Sequence, residues 1–283
     1  MGVNVLSLFD GISCGQIALE RAGIEVDSYF ASEVEPSAIS ITMNNYPNTI
    51  QIGDVRDIKT IKNIDLLIGG SPCQGFSSAG KGLNFADPRS VLFFEYVRVL
   101  KLVKPKYFLL ENVNMKQEFQ DIISSQLGVK PISINSSLVS AGLRKRSYWT
   151  NIPNVTQPED KGISLNDVLV DAVSDRDKSF CIDAMYGKGS NLRRYLYRGS
   201  RQIVFTDSEF MKYITENKPS IDEANAIGNK NRDKWRFLTP EECEAINTIP
   251  IGYTSGVSNY NRYHAIGNGW TVDVVAHIFK GLK

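Results

Sequence analysis

Through the first half of the chain, short apolar runs alternate with stretches whose apolar residues recur every three or four positions. "VNVLSLF", "VDSYFASEV", "IDLLIGG" and "YFLLENV" read as buried strands. "GQIALERAG", with Gly23 as its stop, and "PSAISITMNNYP", with Pro36 at the first turn, read as helices. "SVLFFEYVRVLKLVKP" has the strongest helical spacing and is closed by Pro105. Strands alternating with helices predict an α/β fold built on a doubly wound, mostly parallel sheet. Such sheets take ligands beyond the carboxyl ends of their strands. The polar residues at those predicted ends are Asp10, Gly11, Glu33, Asp54, Pro72, Cys73, Glu111 and Asn112.

After "YWTNIP" the alternation stops, and charged residues, glycine and serine dominate from about Asn154 to Trp235, which predicts a second, smaller domain. "LTPEECEAI" then predicts a helix with a capping box from Thr239 to Glu242 and Pro240 in the first helical position. "AIGNGWTVDVVAHIFKGL" reads as a loop followed by an amphipathic helix.

Composition narrows the chemistry. The 283 residues carry a formal net charge of +1, so overall charge does not announce a polyanionic partner. The four cysteines are scattered without a CxxC pair, so neither a zinc site nor a redox pair is expected. No apolar run is long enough to span a membrane, and "MGVNVLSLFDG" lacks the signature of a signal peptide. Reduced thiols in a cytoplasm are therefore the expectation.

The candidate site residues each have a plain structural alternative. "FDGISCG" is a glycine turn after the first strand but lacks the dinucleotide fingerprint, which argues against a nicotinamide-dependent oxidoreductase. Glu33 can accept from ribose hydroxyls and Asp54 from an exocyclic amine, although either alone is as well explained as a helix cap or solvated acid. Together, at successive strand ends, they favour a cofactor containing adenosine. Cys73, in "GGSPCQGFS", is either a packed thiol or a nucleophile. Glu111, at the mouth of a neighbouring strand, can hold or donate a proton, and a thiol beside it suits attack on an electron-poor ring. Arg144 and Arg146 alternate in "RKRSYW" and can share a face if the segment is a strand. "RRYLYRGSRQ" interleaves Arg193, Arg194, Arg198 and Arg201 with tyrosines, a pattern suited to phosphate contact and base-edge reading or to a solvated edge.

In this order, "SPCQGFS", "ENV", "RKRSYWTNIP" and "RFLTPEECEAI" resemble the DNA (cytosine-5)-methyltransferases over nearly the whole chain outside 154–235. "LFDGIS", "ASEVEPSAI", "GDVRDI", "GGSPC" and "LFFEYVRVL" look most like the catalytic domains of the animal de novo enzymes, at a length typical of compact bacterial or phage members. The resemblance implies a Rossmann-like, S-adenosylmethionine-dependent methyltransferase fold, with 1–153 and 260–283 catalytic and 154–259 a small domain containing the target-recognition region. It implies that Cys73 attacks C6 of a flipped cytosine, Glu111 contacts N3 and the amine, Arg146 holds O2 and Arg144 supports the covalent complex. Phe9 would lie against the adenine, with Asp10, Gly11, Ile12, Ser13 and Cys14 wrapping the cofactor through their backbone. Glu33 would take the ribose, Asp54 with Val55 the adenine, and Asn268, Gly269 and Trp270 the methionine end, with Val34 and Pro72 also contacting the cofactor. Gln74 to Arg89 resembles the mobile loop that closes over DNA, so Gln74, Ser77, Ser78, Lys81 and Arg89 join the four arginines as expected DNA contacts.

The implied product is S-adenosylhomocysteine and the implied partner double-stranded DNA, with no metal or membrane. A cognate restriction endonuclease is compatible with the pattern, as is a cytoplasmic, nucleoid-associated location. Recognition sequence and oligomeric state are left open. Two departures stand out: Gly142 replaces the family's usual glutamine, and "EAINTIP" stands where the family has a Leu-Gln-Gly-Phe-Pro-like run. The alternatives are a tRNA cytosine-5 methyltransferase, whose Cys-Phe-Thr signature is missing, and an inactive DNA-binding paralogue, although the Pro-Cys and Glu-Asn-Val residues are intact.

Overall fold

The computed structural model describes residues 2–72 and 88–283. The chain divides into two compact units: 1–135, 145–157 and 272–283 form the first, and 136–144 with 158–271 the second. The division differs from the sequence expectation in three places. Residues 154–157 go with the first unit, whereas 260–271 and the short excursion 136–144 go with the second.

The first unit is laid down as β1 (Val3–Leu8), α1 (Cys14–Ala22), β2 (Val26–Ser32), α2 (Pro36–Asn45), β3 (Ile50–Gln51), β4 (Leu66–Gly70), α3 (Pro88–Val103), β5 (Tyr107–Val113), α4 (Gln117–Leu127), β6 (Ile132–Asn135) and β7 (Lys145–Thr150). Among the described residues these strands form one sheet in the order β3-β2-β1-β4-β5-β7-β6. Strands β1 to β5 pair in parallel, whereas β7 runs antiparallel to both β5 and β6. The strand order reverses between β1 and β4, so the turn after Leu8 and the segment after Gly70 leave the sheet at its switch point. Sheet and helices bury a core that includes Leu6, Leu8, Leu67, Phe93, Tyr96, Val99, Leu110 and Trp149.

The local signals act as read. Gly23 caps α1 in the left-handed conformation at φ 67°, and Pro36 opens α2.

The second unit contains α5 (Leu192–Arg198), β8 (Ile203–Phe205), α6 (Ser208–Asn217), α7 (Ile221–Lys230), β9 (Trp235–Phe237), α8 (Pro240–Ile246) and α9 (Asn259–Asn268). The ribbon β8–β9 and helices α5 to α7 surround a separate core of Leu192, Tyr195, Ile203, Phe205, Phe210, Ile214 and Trp235. The capping box from Thr239 to Glu242 is formed, with Pro240 at the first position of α8. "AIGN", expected as a loop, is instead the last turn of α9. Gly267 sits there because a Cβ would stand 2.3–2.5 Å from the backbone of Asp183 and Ala184, a close approach and not a break in the helix. The chain then returns to the first unit as α10 (Val272–Phe279), which packs on α1. No helix among the described residues is long and apolar enough to cross a membrane.

Candidate active site

In the first unit, the turn after β1 alternates left-handed residues: Phe9, Gly11 and Ser13 have φ of 56°, 60° and 54°. Backbone N–H groups of this turn are spent within the protein: Asp10 N donates to Ser32 O at 3.1 Å, Gly11 N to the Glu33 carboxylate at 2.8 Å and Ser13 N to Asp10 O at 3.2 Å. The turn is fixed by side chains. Asp10 accepts from the Ser13 hydroxyl and, at 2.7 Å, from the Tyr29 hydroxyl, while the Thr42 hydroxyl donates to Ser13 Oγ at 3.2 Å. Burial pushes the Asp10 carboxyl up to about 6, against the lowering effect of its hydroxyl donors Ser13, Ser7 and Tyr29. Ile12, Ser13 and Cys14 are buried. Phe9 is half-buried and packs against the core.

Glu33 follows β2 and ties the two strand ends together. One carboxylate oxygen accepts from Gly11 N at 2.8 Å, and the other from Val34 N at 2.7 Å and Glu35 N at 2.9 Å. A carboxylate has about four acceptor positions, so three backbone donors leave one for a ligand hydroxyl. Val34 is 63% exposed beside it. Asp54 caps the short helical turn at Val55–Asp57 by accepting from Arg56 N at 2.9 Å, the structural alternative the sequence had left open. It is also gripped by the Arg56 guanidinium, which holds the carboxyl down at about 2. Val55 is buried.

The ends of β4, β5 and β7 converge. Register pairs Gly70 with Glu111 and, on the other side of β5, Val113 with Arg146. Asn112, buried, donates to Ser71 O at 3.3 Å and Ser71 Oγ at 3.1 Å, which fixes the residue ahead of half-buried Pro72. In the sequence Asn112 is marked only by its place at a strand end beside Glu111. Glu111 is 8% exposed and its Oε1 lies 3.0 Å from Arg146 Nε. An acid and a cation thus meet at the mouth of the sheet, where one can handle a proton and the other hold a carbonyl oxygen. Cys73, Gln74, Ser77, Ser78 and Lys81 lie outside the described residues, and Arg89 falls in the first turn of α3.

Arg144 differs from the expectation of a face shared with Arg146. It precedes β7, belongs to the second unit and is buried. Its guanidinium donates to the carbonyls of Ile182 at 3.2 Å, Gly267 at 3.1 Å and Gly269 at 2.8 Å. These contacts make it a positioning residue for the Gly267–Gly269 backbone. Asn268 is exposed and Trp270 half-buried. Of the four arginines in "RRYLYRGSRQ", Arg193 and Arg198 are exposed on α5, and Arg194 and Arg201 are half-buried. Tyr195 is no base-stacking residue, because it is 3% exposed in the core and its hydroxyl donates to Asp175.

The departures from the expected pattern meet in space. A Cβ on Gly142 would stand 2.6 Å from Cγ2 of Ile246. Thr248, in the same "EAINTIP" run, has φ 53°, a conformation that a β-branched residue rarely adopts.

Comparison with known proteins agrees with this geometry. The chain is 28% identical over 300 residues to the type II methyltransferase M1.ScrFI of Lactococcus lactis subsp. cremoris, covering 96% of this chain and 76% of that protein. It is 41% identical over 117 residues to the type II methyltransferase M.NgoBV of Neisseria gonorrhoeae, covering 39% of this chain and 28% of the relative. Against M.Rho11sI, an orphan methyltransferase of Bacillus phage rho11s, identity is 42% over 115 residues, covering 39% and 23%. Matches of this second kind thus span about a quarter of the relatives' length. Two solved structures share the fold: a DNMT2 mutant of Spodoptera frugiperda, at TM-score 0.75 and 21% identity over 99% of both chains, and a putative DNA modification methyltransferase encoded in an E. coli prophage, at 0.67 and 21% over 99% and 98%. The family model for C-5 cytosine-specific DNA methylase matches residues 3–126 and 135–283, and the chain belongs to that family.

Proposed function

We propose that this chain transfers a methyl group from S-adenosylmethionine to C5 of a cytosine flipped out of duplex DNA. The observation that carries the reading is the Glu111–Arg146 pair at 3.0 Å, at the strand end next to the Ser71 that Asn112 holds. Cytosine C6 is too electron-rich for a thiolate unless the ring is protonated or its carbonyl polarised as the bond forms. A buried carboxyl directed at N3 and a guanidinium directed at O2 supply both effects. Cys73 forms the bond to C6, and the ring's electron density moves to C5. When bound, the cofactor supplies an electrophilic methyl group. Loss of the C5 proton to a base then expels Cys73 and restores the ring.

The turn after β1 fits an adenosine-bearing cofactor. Glu33 keeps an acceptor position for a ribose hydroxyl, and Asp54 can accept from the adenine amine once Arg56 yields part of its grip. Asp10, Ser13, Thr42 and Tyr29 brace the turn through their side chains. A cognate endonuclease is compatible with the type II relatives and is part of this proposal.

The test is covalent trapping with duplexes containing 5-fluorocytosine, whose C5 carries no proton to lose. A denaturation-resistant adduct is expected in the presence of S-adenosylmethionine, absent in Cys73→Ala and strongly reduced in Glu111→Gln. Clear cofactor binding without an adduct on any duplex, but with methyl transfer to tRNA, would overturn the DNA reading.

A further inference from the structure

The second unit contains an open cleft of about 500 Å³ lined by Lys188, Arg194, Arg201, Arg232, Trp235 and Phe237. Four of these side chains are cations, and no carboxylate lines the cleft among the described residues. Like charges gathered in one concavity repel one another, and the arrangement is favourable once an anion enters. The sequence reading had found Arg194 and Arg201. Lys188 and Arg232 escaped it because they come from segments on either side of the arginine-rich stretch.

The four cations are not held alike. Lys188 and Arg232 are exposed. Arg194 Nε donates to Ser200 Oγ at 3.3 Å. Arg232 sits over the aromatic floor, its guanidinium carbon 4.1 Å from the Trp235 ring centre and 5.4 Å from that of Phe237. Arg201 is half-buried, with its side chain 11% exposed. Its backbone is left-handed at φ 59°, and Nη1 donates to Gly189 O at 2.6 Å, so it is fixed at both ends. Its buried Nε has no hydrogen-bond partner among the described residues. Asp183 Oδ2 is 3.9 Å away, on a side chain that is 51% exposed. A nearly buried guanidinium with donors unspent is costly until an acceptor arrives.

A phosphate needs charge, and a flexible surface cation provides it. A base edge needs a fork held in one orientation, and guanine offers the matching pair of acceptors at O6 and N7. We infer that this cleft is where the second unit grips duplex DNA, with Arg201 reading the O6/N7 edge of a guanine in the recognition sequence while Lys188, Arg194 and Arg232 hold phosphates. The inference rests on the DNA reading above and deepens it, because it makes guanine a required base of the target.

The experiment begins with the wild-type chain and a pool of random-sequence duplexes. Sequencing the methylated products defines the target. Binding to that target is then measured against salt for Arg201→Ala, Arg201→Lys, Lys188→Ala, Arg194→Ala and Arg232→Ala, with thermal melting as the control for folding. A phosphate contact contributes about one unit to the slope of log affinity against log salt. The three phosphate variants should each lower that slope and weaken all sequences alike. Both Arg201 variants should keep the slope and lose roughly 10–100-fold at the target relative to duplexes with the guanine replaced. Substituting 7-deazaguanine at that position should weaken the wild type and leave the Arg201 variants unchanged, a readout that survives if Arg201→Ala alone folds poorly.

Rescue by Arg201→Lys, with a lowered slope in Arg201→Ala and uniform weakening, would make Arg201 a phosphate contact and overturn the base-reading role. A wild type that methylates DNA while all five variants bind it normally would remove the cleft from the interface. A wild type that neither binds nor methylates any duplex would instead refute the DNA reading itself.

Discussion

Replacing Gly142 with alanine asks whether the two departures from the family pattern are one event. The new Cβ would stand 2.6 Å from Ile246 Cγ2. Carbon atoms in contact prefer 3.5–4.0 Å, so about 1 Å of overlap must be relieved. Neither side yields easily. Ile246 is 2% exposed in α8. The Gly142 carbonyl accepts from Ser136 Oγ at 2.7 Å, and its N–H donates to Ser140 Oγ at 3.3 Å. Its neighbours are tied to Ser179 on both sides, through Leu143 N to Ser179 O and Ser179 N to Ala141 O. Overpacking of this kind costs about 1–3 kcal/mol. Removing a glycine's freedom from the unfolded chain returns about 0.4–1 kcal/mol, because the backbone here does not need positive φ. A net loss of about 1–2 kcal/mol follows.

Ile246→Leu moves the branch from Cβ to Cγ, removes Cγ2 and alone costs less than about 1.5 kcal/mol. Leucine is also what the family pattern places there, counting back from Pro250. The double variant should therefore recover about 1–2 kcal/mol relative to the sum of the single changes. Urea unfolding of the four proteins, with hydrogen exchange at the Leu143 and Ser179 amides as the local readout, measures this coupling. An unperturbed Gly142→Ala, or strict additivity in the double variant, would refute the steric argument.

Thr248→Gly should stabilise the second unit by about 1 kcal/mol, because φ 53° strains a β-branched residue, and a raised melting temperature is the check. Asp10, raised to about 6 by burial, keeps a proton in the folded protein that the unfolded chain releases at lower pH. Its stabilising contribution is thus fully present below the ordinary value of 3.8 and lost as pH rises through about 6. Tyr29→Phe removes a hydrogen bond that lowers this pKa, so a carboxyl NMR titration should move its midpoint upward. Arg144→Ala strips three carbonyls of a charged donor and should cost the second unit about 3 kcal/mol or more by urea unfolding, with Arg144→Lys restoring only part.

The parallel half of the sheet was legible because its strands are short apolar runs punctuated by Gly and Pro, signals that act within a few residues. Helices α6 and α7 were not, because α6 buries only Phe210 and Ile214 and α7 only Ala224 and Gly228, too few positions to set a period. The acidic residues of the candidate site could be placed at strand ends from sequence, but their partners could not. Arg146 meets Glu111 only through the antiparallel register of β5 and β7, and Arg144 faces carbonyls well over a hundred residues away. "AIGN" misled because glycine signals both flexibility and close packing, and at Gly267 the packing reading holds.

The chain enters and leaves the first unit repeatedly, and 272–283 returns to it after the second unit. During synthesis, β1 to β7 and the whole second unit leave the ribosome before α10 does. Until then the face of α1 that α10 covers is wet, and Arg21 lacks the Asp273 carboxylate it meets at 2.7 Å. The turn that opens α1 is the one that Asp10 and Ser13 brace. A nascent chain can therefore finish its second unit while the turn proposed to hold the cofactor still stands on an uncovered helix, and that turn gains its full support only once α10 has emerged.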